Sequence, residues 1–184
     1  FFALQSAFSQ TWSWSTAPVA GSPADVKIID APAPDGQYTL NYYYFNGTKL
    51  IAEEVAHAKG EMPGSYAAKI TVPSQASWIS FALKDDSGKI ISNFNDEVKN
   101  DGDNTKKSSV QKAMGLSAYG RLLGMEKNDL VANALYRDAI LADPAWLNQP
   151  DVLRGYYQVA NTLNATSDLE VIKNHLQSLA RNSK

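Results

Sequence analysis

Residues 116–144, LSAYGRLLGMEKNDLVANALYRDAILADP, decide how the C-terminal half of this chain folds. Small residues at Gly120, Ala132 and Ala139 let two antiparallel helices approach closely, while the larger Leu116, Leu123 and Tyr136 fill the groove between them. Gly124 suits a helix C′ position, Asn128 the N-cap of the next helix, and Asp143-Pro144 its stop. The pattern describes a scaffold rather than a catalyst.

Working outward, the first helix spans 108–123, and the second carries Val131, Leu135, Ala139 and Ile140. Pro150 sits well in the first turn of a third helix that ends near Asn164. Ser167 with Glu170 makes a capping box for a fourth, whose apolar stripe is Leu169, Ile172, Leu176 and Leu179. That stripe reads first as an internal core face and second as a surface for a partner.

The N-terminal half has a different period. Short strand signals recur between turn residues: 26–31, closed by Pro32-Ala33-Pro34-Asp35-Gly36, then 38–45, 49–58, 65–72, 78–84 and 89–94. Tyr38, Leu40, Tyr42 and Tyr44 alternate with Asn41, Tyr43 and Phe45, and Ile79, Phe81 and Leu83 alternate with Trp78, Ser80 and Ala82, which predicts faces of unequal burial. Asn46-Gly47 predicts a type I′ hairpin, and Asp85-Asp86-Ser87-Gly88 a second turn. The polar run 95–105 forms no element of its own and places a linker at 99–107.

The 184 residues and 44% apolar content support a buried core, divided more naturally into two small domains than one. Seventeen basic against nineteen acidic residues leave a net charge of -2 and no electropositive field for a phosphate backbone, so nucleic acid is not expected as a partner. No cysteine is present, which removes disulfides, thiolate catalysis and Cys-ligated zinc. No run is long enough to span a bilayer. Phe1-Phe2-Ala3-Leu4 followed by Ala7-Phe8-Ser9-Gln10 looks like the end of a secretory signal peptide, with Ala7 and Ser9 at the cleavage-site positions. An ordered apolar arm is the other reading. An extracytoplasmic location, periplasmic or secreted, is the expectation.

Catalytic chemistry is hard to assemble. His57 and His175 are the only near-neutral bases and fall in different expected domains, His57 on a strand and His175 on a helix surface. Gly115-Leu116-Ser117-Ala118-Tyr119-Gly120 misses the nucleophile elbow, which needs Gly two residues after Ser on a strand-to-helix turn. Asn95-Asp96-Glu97 with Asp101-Gly102-Asp103-Asn104 supplies oxygen ligands, but Lys99 breaks the EF-hand register and a solvated linker is the preferred reading. Glu53-Glu54 and Asp85-Asp86 are adjacent pairs, the first expected on opposite faces of a strand and the second solvated in a turn, so neither suggests an acid/base dyad. The chain is expected not to be an enzyme, with no catalytic residues, no metal ligands and no cofactor. The aromatics Trp12, Trp14, Tyr42, Tyr43, Tyr44, Phe45, Tyr66 and Trp78 either fill the interior or present a flat sugar-stacking platform, and the strands loosely resemble starch-binding modules.

Leu116, Tyr119, Gly120, Leu123, Ala132, Tyr136, Ala139 and Pro144 together resemble a tetratricopeptide repeat (TPR), a two-helix unit of about 34 residues. The first helix departs from it, with Leu116 where the family usually has Trp and Tyr119 where it usually has Leu. Gly155 then falls one position out of register in the next pair. A single repeat cannot build the concave superhelix, so a peptide clamp is not implied. Across 26–164, the run Gly64-Ser65-Tyr66 through Val72-Pro73 to Phe81 and Asp85-Asp86-Ser87-Gly88, followed by helices, resembles the N-terminal accessory region of secreted bacterial thioredoxin-family proteins. In those a Cys-x-x-Cys domain follows; redox activity does not transfer to this chain.

The fold expected is α+β in two domains: a leader at 1–22, an immunoglobulin (Ig)-like antiparallel β-sandwich at 23–98, the linker at 99–107, and a TPR-like helical domain at 108–184. The function expected is a non-enzymatic, exported accessory or protein-interaction module, with a protein partner or adjacent domain. A carbohydrate-binding sandwich is the alternative. Candidate binding residues are Trp78, Tyr43, Phe45, Tyr157 and Leu176.

Overall fold

The computed structural model describes residues 11–29, 38–55, 57–59, 64–99 and 105–182. The leader at 1–10, the turn at 32–36 and the acidic run at 101–104 lie outside the described residues. The fold is α+β. Its strands are β1 Thr11–Trp14, β2 Pro23–Ile29, β3 Thr39–Asn46, β4 Lys49–Val55, β5 His57–Lys59, β6 Tyr66–Thr71, β7 Trp78–Lys84 and β8 Ile90–Glu97. Its helices are α1 Thr105–Ser117, α2 Gly120–Leu123, α3 Asp129–Ala142, a 3-10 turn at Pro144–Asn148, α4 Pro150–Thr162 and α5 Thr166–Asn182. Two compact units result: Phe1–Tyr44 with Ile51–Lys99, and Phe45–Leu50 with Asn100–Lys184.

The first unit holds two antiparallel four-stranded sheets, ordered β1-β2-β6-β5 and β4-β3-β7-β8. Strand alternation sends Val26 and Ile28, Ala68 and Ile70, Tyr42 and Tyr44, and Phe81 and Leu83 into one shared core. The register brings Tyr42 opposite Phe81 and Leu40 opposite Leu83, so bulky rows meet in line. The predicted strand 49–58 is in fact two. β4 belongs to one sheet and β5 to the other, as a strand does when it turns a corner between packed sheets.

Residues 11–14, expected as part of an extended leader, form an edge strand. The Trp-Ser-Trp alternation explains it, because both indoles face the same side. Trp12 stacks on Phe94 at 5.8 Å and Trp14 meets Phe81 edge-on at 5.4 Å. Their ring N–H groups donate to Ser92 Oγ (2.7 Å) and Asp96 Oδ2 (3.1 Å) on β8, so the outer strands of the two sheets are tied together. At the other edge, Glu53 of β4 accepts hydrogen bonds from the phenols of Tyr42 and Tyr44. Burial, reinforced by that carboxylate, pushes both phenol pKa values up.

The hairpin after β3 differs from the type I′ expectation. Gly47 has φ 62° and is the positive-φ residue of the turn, at the first of the two central positions Gly47 and Thr48. That is the requirement of a type II′ turn. At the second turn Asp85 Oδ1 accepts from the N–H groups of Ser87 and Lys89, both at 3.0 Å, and from Ser87 Oγ, which holds its carboxyl pKa low.

In the second unit the predicted first helix is broken. Ser117 Oγ donates to the Ala113 carbonyl at 2.7 Å, a back-bond that bends helices, and α2 restarts at Gly120. A Cβ on Gly120 would lie 3.2 Å from the Met125 carbonyl, so the backbone closes on itself here. Gly124, with φ 68°, ends α2 in the left-handed conformation anticipated for it. Asn128 Oδ1 accepts from Val131 N–H at 3.0 Å and caps α3, and Pro150 opens α4. The fourth predicted helix starts at Thr166, one residue before Ser167, with Ala165 supplying the first helical carbonyl. Ser167 is therefore inside α5, and the capping box is displaced.

Tyr136 of α3 is fully buried, 5.7 Å from the ring of Tyr156. Its hydroxyl occupies the space where Gly155 lacks a side chain: a Cβ there would lie 2.5 Å from the Tyr136 oxygen and 3.2 Å from Cζ. Gly155, out of register with the repeat pattern, is the residue that admits this ring. Gly155→Ala is expected to cost about 1–3 kcal/mol through overpacking. Adding Tyr136→Phe, which removes the colliding oxygen, should recover much of that loss in urea denaturation; additive losses would show that the two residues do not share this space.

Candidate functional site

α4 and α5 form the last hairpin of the second unit. Three residues, 163–165, join them, and Asn164 adopts φ 52° to reverse the chain. One side of α5, led by Asp168 and Ile172, is buried. The neighbouring side is not covered. Tyr157 and Asn161 of α4 with Leu169, Ile172, Lys173, Leu176, Gln177 and Ala180 of α5 line a groove of about 490 Å³.

The helix periodicity accounts for this directly. Residues 169, 172, 173, 176, 177 and 180 recur at steps of three and four and form one longitudinal strip, opposite Tyr157 and Asn161, themselves four apart. Within the predicted stripe of α5, Ile172 is buried while Leu176 and Leu179 remain 47% and 45% exposed, and Tyr157 is 50% exposed. The strip is mostly apolar, with two amides, one cation and the Tyr157 phenol as its polar groups.

Beneath the groove lies a polar seam that the residue patterns did not reveal. Asp168, buried, accepts from Asn133 Nδ2 of α3 at 2.6 Å and from the Tyr156 hydroxyl of α4 at 2.7 Å. One carboxylate thus joins three helices. The signal was available: Asp168 stands four residues before Ile172 on the inward side, where a carboxylate has to be partnered. Burial first, and the Asp168 carboxylate second, push the Tyr156 phenol pKa up. Burial also pushes Tyr136 up to about 12.

Of the five candidate binding residues, Tyr157 and Leu176 come together in the groove. Trp78, Tyr43 and Phe45 do not join them; all three are buried, and Phe45 meets Tyr119 edge-on at 5.7 Å within the second unit. Their rings offer no flat exposed platform. His57 lies on β5. His175, expected on a helix surface, has its Nε2 buried. Ser117 sits within α1 and uses its hydroxyl on that helix's own backbone. Among the described residues no group of three or more His, Asp or Glu side chains is placed to hold a metal ion, and no helix is long and apolar enough to cross a membrane.

No protein-family model matches the chain, and no curated protein sequence matches it.

Replacing Asp168 by Ala strands two buried donors and is expected to cost about 1.5–3 kcal/mol. Asp168→Asn, which keeps a carbonyl acceptor, should cost less; an unchanged urea midpoint for Asp168→Ala would show that the seam does not hold the helices. High pH should act on the same unit. Below about pH 10 Tyr136 is neutral both folded and unfolded, and its contribution is complete. Above that the unfolded chain ionises first, so stability falls by about 2 kcal/mol as pH rises to 12. Denaturation series across this window, compared with Tyr136→Phe, should give a visibly flatter dependence for the variant.

Proposed function

We propose that this chain is a non-enzymatic protein-interaction module that acts through the groove between α4 and α5. The observation that carries the reading is an uncovered strip running along α5 and faced by Tyr157, on a hairpin already stabilised from the other side by the Asp168 seam. Isolated exposed leucines are ordinary on protein surfaces; Leu169 and Leu176 aligned with Tyr157 along one groove support a contact site.

In finer terms we read the first unit as an Ig-like sandwich, supported by its two antiparallel sheets and single shared core. The second is read as TPR-like, supported by the small Ala132 and Ala139 packed in its interior and by successive helical hairpins. The apolar leader supports export, and the order of sheet unit then helical unit supports an accessory role beside a partner protein or domain, as in the thioredoxin-family accessory regions it resembles.

A photo-crosslinking residue placed at Leu176 should yield a discrete protein adduct in the native host. The same residue at exposed Asp138 on α3 should not. Equal labelling at both positions, or none at Leu176, would remove the groove as the contact surface.

A further inference from the structure

We infer that the occupant of the α4–α5 groove is an amphipathic α-helix of another polypeptide, with an acidic side chain flanking its apolar stripe where it passes Lys173. This rests on the interaction reading above and specifies the chemistry of the partner.

Shape and backbone chemistry select a helix. From Leu169 to Ala180 the strip extends about 16 Å at 1.5 Å per residue, room for about three turns of a helix laid alongside. A helix satisfies its own backbone groups. An extended segment in the same place would bury N–H and C=O groups against a mostly apolar lining whose polar groups are Asn161, Gln177, Lys173 and the Tyr157 hydroxyl, too few to satisfy a row of backbone groups. The groove offers no sheet edge to pair with them.

Charge selects among helices. Lys173 is the only charged residue in the lining, and no carboxylate accompanies it. A second copy pairing this strip with itself would set Lys173 against a lining that also lacks an acid. A foreign helix bearing Glu or Asp beside its leucines complements the cation and covers Leu176 and Tyr157.

The test uses the full chain and a displayed library of amphipathic helices with leucine fixed at i, i+3 and i+7 and flanking positions free among Glu, Ser and Lys. Binders should favour Glu over Lys at one flank by about fivefold, in the range of a single partly exposed charge pair. They should be lost with Leu176→Asp, and their preference should reverse with Lys173→Glu. Both substitutions fall on exposed positions, and circular dichroism verifies that the variants fold. Binders without a charge preference, or a preference that Lys173→Glu leaves unchanged, overturn the proposal. Sedimentation separates the remaining outcomes. If no helix binds and the chain self-associates in a manner abolished by Leu176→Asp, a second copy is the occupant; this proposal then fails while the interaction reading stands. If neither peptide binding nor self-association responds to Leu176→Asp, both fail.

Discussion

The buried carboxylate of Asp168 is the constraint on which the C-terminal hairpin depends. A lone charge in that position would be expelled or neutralised, so its two donors must arrive from fixed directions. Asn133 comes from α3 and Tyr156 from α4, at 2.6 and 2.7 Å, so sliding α5 along its axis by a turn would break both hydrogen bonds. Apolar packing alone tolerates sliding by a turn; a carboxylate with two named partners does not. The seam therefore sets where α5 lies on α4, and with it the alignment of Leu169, Leu176 and Ala180 opposite Tyr157.

The sheet unit solves a different problem with similar means. Its sheets have open edges, and exposed edges invite pairing with other chains. β1 and β8 are tied by two indole N–H donors and a stacked Trp12–Phe94 pair, while β4 carries Glu53 on the side facing Tyr42 and Tyr44. Glu53 is itself exposed, and the two phenols reach out to it, which places a charged, hydrogen-bonded side chain on the edge strand. The abundance of aromatic residues, which suggested a ligand platform, is largely consumed by these edge and core contacts.

Much of this architecture is legible in the residues because local signals and tertiary demands agree. Asn128, Gly124 and Pro150 act at the positions their chemistry predicts, and the alternation around Phe81 and Tyr42 picks out the shared sheet core, but the unequal burial expected is not found: Tyr43, Trp78, Ser80 and Ala82 on the opposite faces are buried as well. Departures occur where a contact distant in sequence decides the outcome. Trp12 and Trp14 become a strand because β8, some eighty residues away, supplies Ser92 and Asp96. Gly155 looks misplaced in a repeat alignment until Tyr136 is seen to need the space of its missing side chain. Ser167 has the composition of a cap, yet the left-handed Asn164 starts the turn earlier and Ala165 takes the first helical bond. In the groove, Tyr157 and Leu176 could be nominated from helix periodicity, but which side of α5 would be covered could not, because Asp168 rather than a leucine directs the inward face.

That last point bears on why the groove exists. α5 buries a carboxylate and leaves Leu176 and Leu179 half-exposed, the reverse of the ordinary partition of charged and apolar side chains. Burying a leucine in place of Asp168 would contribute roughly 1.5–3 kcal/mol by transfer alone, so a helix shaped only by the stability of this unit would be rotated toward its leucines. The Asn133 and Tyr156 donors hold it away from that orientation. Polar bonds thus hold the helix in the position that keeps Leu176 and Leu179 outward. The exposed strip is thus specified by the interior: the hydrogen bonds of Asp168 determine which side chains of α5 are left uncovered.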